Sequence, residues 1–320
     1  MDSSDTIIRR ESETDPRYGK KPSDRSISEH VHKGFILLDK PSGPTSHQVC
    51  DWVKKIYELK KAGHSGTLDP KVTGLLPIAL GDSTKALQAI FRADKEYVCL
   101  MKIHDDVSNS KLKKVLSQYQ GVITQTPPVK SAVKRRARQR RIHYIKLIER
   151  KDRYALYRVK CEAGTYIRKL CHDMGETLGT GAHMRQLRRT QVAGFSEDET
   201  VILQDLRDSW ERYLETGEES RVRETIKPME YLVKDTPKIW VKDTAIDSIT
   251  HGANLKNPGI SRLSAGIKDG DTIAIMSLKN ELVAIACAKK TSEEMLEENG
   301  MAADLKRVLM EPGVYPEIQN

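Results

Sequence analysis

Hydrophobic and polar residues alternate along this chain with periods that predict both strands and helices. The apolar run FILLDK at 35–40 ends at turn-forming residues, as a strand leading into a loop does. Thr45 and Gln48 then have the spacing of a capping box, and apolar residues recur behind them at helical spacing. These patterns predict a strand before the turn and an amphipathic helix after it.

The middle of the chain continues this mixture of elements. Continuous apolar residues predict buried strands at 74–81 and 97–103, and Ser83 has the position of a helix cap between them. Helical spacing at 112–119 predicts another helix, and alternation at 157–161 predicts a strand with one buried face. Strands and helices therefore mix without a regular repeat.

A glycine-bounded helix follows this last strand. Gly164 interrupts the strand pattern, and apolar residues then recur at helical spacing over 167–178 until Gly179 ends the helix. Arg168 is therefore predicted to lie in the first turn. The irregular order of elements favours an α/β or α+β domain with a mixed sheet over a doubly wound nucleotide-binding fold.

The chain divides into three parts. Residues 1–30 are polar and charged, which predicts a disordered or loosely docked tail. A polar stretch ends near Pro237, so we predict one domain over 31–236 and a second over 237–316. The second is rich in short strands, including a hairpin signal at 279–280, and we expect a small β-barrel-like module.

Composition narrows the class of protein. Hydrophobic residues make up 38% of the chain and charged residues 31%, and no apolar run approaches the ~20 residues of a membrane helix. The polar start lacks the apolar segment of a secretory signal peptide. Five scattered cysteines without metal-ligand spacing predict reduced thiols, so we expect a cytoplasmic protein that does not contact membranes.

Positive charge is concentrated in one stretch. The net charge is +9, which favours polyanionic partners, although a basic enzyme with a small anionic substrate would have a similar composition. The segment KSAVKRRARQRR at 130–141 contains seven basic residues and no acidic one. A solvated basic loop is one interpretation; contact with nucleic-acid phosphates is the one we favour.

The motif GHSGTLDP at 63–70 carries a single carboxylate, Asp69. An aspartate in such a loop is usually a turn former, and the residues alone leave turn formation and catalysis both open. No second acidic or histidine ligand accompanies His64 and Asp69 at metal-binding spacing, so we predict no metal site. The glycines also lack the spacing of a nucleotide-binding phosphate loop.

Ordered motifs along most of the chain resemble one enzyme family. They are LDKPSGPTSHQV, GHSGTLDPKVTGLLPIALGDSTKAL, KEYV, TPPVKSAVKR and CEAGTYIRKLCHDMGETLGTGAHMRQLRRT. Together they resemble the TruB class of pseudouridine synthases, in particular its archaeal and eukaryotic branch, to which dyskerin belongs. HGANLKNPGI and LMEPGVYPE resemble the start and end of a PUA RNA-binding module. The resemblance covers about 33–316.

The resemblance implies an RNA-modifying enzyme whose catalytic residues are Asp69, Arg168 and Tyr97. Asp69 would be the nucleophile, by attack on the base or the ribose or through a glycal route, and one ionised carboxylate would suffice without metal or cofactor. Arg168 would hold that carboxylate ionised and oriented. Tyr97 would stack on the target base and is a candidate for proton transfer from C5.

The resemblance also implies binding residues. Those for the substrate uridine are His64, Lys40, Tyr166 and Leu187. His64 would help to flip the uridine out of paired RNA, although a loop-ordering histidine is an equal alternative. Lys40 would mainly support the loop, and Leu187 would line the uracil pocket or serve as a core leucine. Those for RNA are Lys130, Lys134, Arg135, Arg138, Arg141, His251, Gly252, Ala253, Gly259 and Arg262.

The partners implied are box H/ACA guide RNA, rRNA and tRNA substrates, and the small accessory proteins of that ribonucleoprotein. Substrates would be specific rRNA uridines and the T-loop uridine of tRNA. A noncatalytic RNA-binding scaffold or chaperone is the alternative from another class. The presence of an aspartate, an arginine and a tyrosine at matching motif positions favours the enzyme.

Overall fold

The computed structural model describes residues 6–126 and 136–317. Its strands are β1 (Thr6–Ile8), β2 (Gly34–Lys40), β3 (Ala62–His64), β4 (Thr73–Leu80), β5 (Lys95–Ile103), β6 (Gly121–Gln125), β7 (Arg138–Lys151), β8 (Tyr154–Cys161), β9 (Ala182–Val192), β10 (Phe195–Ser196), β11 (Lys227–Pro228), β12 (Lys238–Val241), β13 (Leu255–Lys256), β14 (Ile260–Ser264), β15 (Thr272–Met276), β16 (Leu282–Ala288) and β17 (Met301–Val308).

The α-helices are α1 (Ile27–His32), α2 (Ser46–Ile56), α3 (Gln88–Phe91), α4 (Asn109–Gln118), α5 (Ile167–Leu178), α6 (Leu203–Thr216), α7 (Ser220–Thr225) and α8 (Asp243–Thr250). Thr45 caps α2 through the predicted capping box with Gln48. Gly179 ends α5 with a left-handed backbone, as its place after the periodic segment predicts.

A large mixed sheet forms the first part of the fold. Across the described ranges its order is β11-β2-β4-β9-β5-β8-β7-β6, with β3 beside β4 and β10 beside β9. The β4–β9 pair is parallel, whereas β2, β5, β7 and β8 pair antiparallel with their neighbours. Helices α4 and α5 pack over the β5–β8–β9 region, and α1, α2, α6 and α7 cover β2 and β4. This confirms the predicted mixed-sheet fold class.

A smaller sheet follows, in the order β1-β14-β12-β15-β16-β17-β13. The predicted hairpin is present, because β15 and β16 pair antiparallel. Buried aliphatic residues of these strands and of α8 form their own core. A second cluster joins the two sheets: Phe35 and Leu75 of the large sheet share it with Met276 and Leu282 of the small sheet.

The N-terminal segment is docked on the small sheet, which differs from the expectation of a disordered or loosely docked tail. Strand β1 pairs antiparallel with β14, with Ile7 opposite Leu263. Asp243 accepts hydrogen bonds from the Thr14 hydroxyl (2.9 Å) and the Asp15 N–H (2.8 Å). A three-residue edge strand needs its distant partner, so local pattern does not reveal it.

The expected role of Ser83 as a helix cap is wrong. Residues Gly81–Leu87 form a 3₁₀ helix, and Ser83 lies inside it. Its hydroxyl accepts from the Leu80 N–H at 2.9 Å and also contacts the Gly34 carbonyl. Ser83 therefore ties this turn to the start of β2.

Among the helices within 6–126 and 136–317, none combines the length and the apolar character that crossing a membrane requires.

Candidate active site

The loop between β3 and β4 presents Asp69 at the surface. The Asp69 side chain is 54% exposed. The Val72 N–H donates to the Asp69 carbonyl at 3.0 Å and closes a turn. The turn former and the candidate nucleophile are therefore the same residue, and its carboxylate remains accessible to a large substrate.

Arg168 of α5 contacts Asp69 at this surface. It lies in the first turn of α5, as predicted, and its guanidinium Nη2 forms an ion pair with Asp69 Oδ2. Both side chains are more than half exposed. Because exposed ion pairs contribute only about 0–1 kcal/mol to folding, this pair has little value for stability. The ion pair instead orients the Asp69 carboxylate at an open surface.

Lys40 fastens the Asp69 loop from below. The side chain is 0% exposed, and Nζ donates to the carbonyls of Pro41 (2.8 Å), Pro70 (3.0 Å) and Val72 (3.0 Å). Burial lowers the Lys40 pKa, and the nearby Asp69 charge opposes that shift. The expected supporting role thus has a direct geometric basis.

Ser46 holds the other end of the loop, and sequence reasoning missed it. Its hydroxyl donates to the Leu68 carbonyl at 3.0 Å and accepts from the Leu68 N–H at 2.9 Å. Ser46 is fully buried at the start of α2. The available signal was its place beside the Thr45 cap, where a serine can hydrogen-bond outside its own helix.

Tyr97 and Leu187 share one face of the β5–β9 ladder. Tyr97 is directly opposite Arg189, and Cys99 is opposite Leu187, so their side chains project to the same side. Both predicted residues are half-buried and pack against the α5 cluster. This arrangement is compatible with the predicted stacking of Tyr97 on the target base and with Leu187 as a residue that lines the uracil pocket.

Arg189 is a second arginine of this region that sequence reasoning missed. It is 1% exposed and donates to the carbonyls of Leu75 (2.7 Å) and Gly66 (2.9 Å). It also lies directly opposite Tyr97, where its charge partly offsets the rise in the Tyr97 pKa caused by burial. A Cβ on Gly66, which has φ +77°, would lie 3.0 Å from the guanidinium. Gly66 thus permits the loop to rest on Arg189.

Lys95 adds another buried cation behind the loop. It is 5% exposed, and Nζ donates to the carbonyls of Phe91 (3.0 Å) and Ala93 (2.6 Å). Burial, and then the charge of Arg189, lower the Lys95 pKa to about 8. Positive potential therefore underlies the site where an anionic substrate would arrive.

His64 lines a cleft next to the loop. Its ring lies edge-on to His47, with centroids 4.8 Å apart. Burial, together with His47 and Arg189, lowers the His64 pKa to about 4, so the ring is neutral at pH 7. The cleft has a volume of about 360 Å³ and is also lined by Cys50 and Lys54. A neutral ring suits stacking or hydrogen bonding better than phosphate neutralisation.

The remaining predicted substrate residue, Tyr166, immediately precedes α5. It is half-buried, and its backbone is bound by the side chain of Gln125, with the Tyr166 N–H 3.0 Å from Gln125 Oε1. Sequence reasoning did not identify Gln125.

The predicted RNA-binding residues fall into two regions. Lys130, Lys134 and Arg135 lie outside the described residues. Arg138, half-buried, and Arg141, exposed, lie near the start of β7. These two predicted residues therefore lie on the strand next to the edge strand β6 of the large sheet.

The predicted C-terminal RNA-binding residues do not form one uniform surface. His251, Gly252 and Ala253 make an exposed turn after α8, and His251 Nδ1 is 3.0 Å from the Asp247 carbonyl. A Cβ on Gly259 would lie 3.1 Å from Ala245 Cβ, so this glycine permits close packing of α8. Arg262 lies inside β14, where its guanidinium stacks 4.8 Å from the Trp240 ring centroid.

Metal coordination was not expected from the sequence. Among residues 6–126 and 136–317, the His, Cys, Asp and Glu side chains nowhere gather in threes at a spacing that could hold a metal ion.

Family comparisons cover most of the chain. Residues 54–167 match the TruB family pseudouridylate synthase N-terminal domain, and 168–234 match the tRNA pseudouridylate synthase B C-terminal domain. Residues 1–50 match the DKCLD (NUC011) domain, and 237–309 match the PUA domain. The four matches follow one another along the chain.

Similar proteins and structures extend over nearly the whole length. The probable tRNA pseudouridine synthase B of Methanopyrus kandleri is 54% identical, over 97% of this chain and 92% of its own. That of Pyrococcus furiosus is 52% identical, over 96% and 91%.

Two solved structures have the same fold. A chain of an H/ACA RNP bound to a substrate RNA containing 2′-deoxyuridine is 48% identical with a TM-score of 0.89, over 98% of this chain and 96% of that one. A chain of a Cbf5-Nop10-Gar1 complex is 50% identical with a TM-score of 0.91 over the same shares. With its site geometry and these matches, the chain belongs to the TruB family of pseudouridine synthases.

Proposed function

We propose that this pseudouridine synthase uses Asp69 to isomerise specific uridines in RNA. The observation that carries the proposal is the Asp69–Arg168 ion pair at an open surface. Arg189, which lies opposite Tyr97 on the β5–β9 ladder, connects the face of Tyr97 and Leu187 to the Asp69 loop through the Gly66 carbonyl. An oriented carboxylate, an aromatic ring on the sheet face connected to its loop and buried cations suit a nucleophilic route through a flipped uridine.

The reaction rearranges one nucleoside without gain or loss of atoms. The bond between N1 and C1′ breaks, the detached uracil rotates, and a new bond forms between C5 and C1′. C5 then loses a proton while N1 gains one. Asp69 would act on the base, on the ribose or through a glycal, and the ion pair with Arg168 would keep its carboxylate directed at the uridine. Tyr97, directly opposite Arg189 on the β5–β9 ladder, is our candidate to stack on the uracil and to take part in the proton transfer from C5.

We propose rRNA selected by box H/ACA guide RNA as the main substrate, with small accessory proteins as partners. Support comes from the similar chains found in an H/ACA RNP with substrate RNA and in a complex with Nop10 and Gar1. The T-loop uridine of tRNA is a second candidate, because the curated relatives are named probable tRNA pseudouridine synthase B.

Two surfaces are proposed to hold RNA. The basic segment 130–141 would contact phosphates of the substrate. The exposed turn of His251, Gly252 and Ala253 would contact the guide RNA, with Gly259 and Arg262 completing that region.

Matches to the TruB and PUA domains support a catalytic domain over 31–236 and an RNA-binding domain over 237–316. All five cysteines are free thiols, which supports a cytoplasmic location.

Reconstitution separates these possibilities. The purified chain would be incubated with an rRNA fragment or a tRNA tritiated at C5 of uridine, with and without guide RNA and accessory proteins, and tritium release measured. We expect guide-dependent release from rRNA. Release from tRNA alone would instead support the stand-alone candidate. RNA binding without release from either substrate under any condition would contradict an enzyme and favour the noncatalytic scaffold.

A further inference from the structure

Gln125 is a buried residue whose side-chain amide hydrogen-bonds the backbone of Tyr166, two residues before Arg168. It is the last residue of β6 and is 2% exposed. Its Oε1 accepts from the Tyr166 N–H at 3.0 Å, and its Nε2 donates to the Tyr166 carbonyl at 3.2 Å. One side chain thus satisfies both polar groups of one backbone residue, which fixes that residue in position and orientation.

Tyr166 lies at the start of α5, so its position sets where that helix begins. Tyr166 is the N-cap, it provides no side-chain cap, and its carbonyl also accepts the first helical bond from the Leu170 N–H at 2.9 Å. Arg168 lies two residues further along. Because its side chain reaches outward through several rotatable bonds, the position of the first helical turn decides where its guanidinium can go.

Neighbouring contacts hold the preceding residues separately. The Arg141 N–H donates to Glu162 Oε2 at 2.8 Å, and the Glu162 N–H donates to the Arg141 carbonyl at 2.9 Å. The Arg140 guanidinium lies beside Gly164, 3.2 Å from where a Cβ would be. These contacts secure 162–164, whereas the Gln125 amide acts nearer to Arg168.

We propose that Gln125 is a positioning residue of the isomerisation, which acts through the Tyr166 backbone to hold Arg168 against Asp69. The inference rests on the proposed function. Gln125 does not touch the reacting atoms in this proposal. Its loss would therefore slow the chemical step and leave RNA affinity nearly unchanged.

The test compares Gln125→Met with Gln120→Met. Methionine keeps the length and removes both hydrogen bonds, whereas Gln120 is an exposed residue directly before β6. At saturating RNA, we expect the single-turnover rate of tritium release to fall at least tenfold in Gln125→Met, with the RNA Kd changed less than threefold. Gln120→Met should match the wild type. Gln125→Asn, which keeps the amide donor and acceptor on a shorter side chain, should retain more activity and provides a second variant if the methionine variant fails to fold.

A cycle with Arg168→Lys distinguishes positioning from general stability. If Gln125 acts through Arg168, adding Gln125→Met to Arg168→Lys should lower the rate less than threefold further. An equal loss in both backgrounds, an unchanged rate in Gln125→Met, or a loss confined to RNA affinity would each overturn the inference. A wild-type protein without isomerase activity would instead refute the proposed function itself.

Discussion

Replacing Lys40 with methionine should unfasten the loop that carries Asp69. Lys40 Nζ donates to three carbonyls, two of which belong to Pro70 and Val72 on that loop. Methionine fills most of the buried space but has no donor, so all three carbonyls lose the bond from Lys40, while the Pro70 carbonyl keeps another, from the Gly43 N–H.

The size of the effect follows from these contacts. Hydrogen bonds to charged groups contribute about 1.5–3 kcal/mol each, so three give roughly 4.5–9 kcal/mol. Removing an ammonium group from water costs several kcal/mol, which offsets part of that sum. We expect Lys40→Met to lower the free energy of unfolding by about 3 kcal/mol. A loop displacement near 1 Å would also lower the isomerisation rate about 100-fold.

Thermal unfolding and single-turnover tritium release measure the two effects. Lys71→Met is the matched control, because Lys71 is exposed on the same loop. If Lys40→Met unfolds and reacts like Lys71→Met, the carbonyl contacts of Lys40 do not hold the loop and this reasoning is refuted.

Three further predictions concern other parts of the chain. First, the folded-state pKa of His64 is about 4, below its ordinary value of 6.5, so the unfolded chain binds more protons between these two pH values. The free energy of unfolding should therefore fall by up to about 3 kcal/mol from pH 7 to pH 4. His64→Gln should reduce this fall in thermal unfolding, and an unchanged pH dependence would contradict the prediction. Second, the double variant Arg138→Gln, Arg141→Gln should bind RNA more weakly in filter binding. The slope of log K against log salt should become shallower by about 0.7–0.9 for each phosphate that these arginines neutralise in the wild type. An identical slope would count against contact with phosphates. Third, Ile7→Asp should destabilise the small sheet by about 2 kcal/mol in thermal unfolding, because Ile7 packs on the core of that sheet. Ile8→Asp should be nearly neutral, because Ile8 is 62% exposed. Equal effects of the two variants would exclude docking of β1.

Elements with a local signal were predictable from sequence. The capping box at Thr45 begins α2, and Gly179 ends α5, because each depends on hydrogen bonds or backbone angles within a few residues. Ser83 misled for a related reason: a serine hydroxyl also hydrogen-bonds within a 3₁₀ turn, and pattern alone does not distinguish the two. The β1 strand was missed because its pairing partner lies at the other end of the chain.

The candidate site was only partly predictable. The motif resemblance identified Asp69 and Arg168, and the structure brings the two together. Arg189 lies within one of these motifs, but neither its role nor that of Gln125 was predicted, because charged and amide side chains are usually exposed and their burial depends on backbone carbonyls supplied by distant parts of the chain. Polar residues that support a site from within therefore emerge only from three-dimensional contacts.

The Asp69→Asn variant tests the central claim most directly. The substitution preserves shape and removes the nucleophilic charge, and Asp82→Asn, at an exposed aspartate, is the control. We predict that release of tritium from C5 of uridine falls at least about 1,000-fold, or about 4 kcal/mol in activation free energy, while the RNA Kd stays within threefold of the wild type. Tritium release by Asp69→Asn at the wild-type rate would contradict the assignment of Asp69 as the nucleophile.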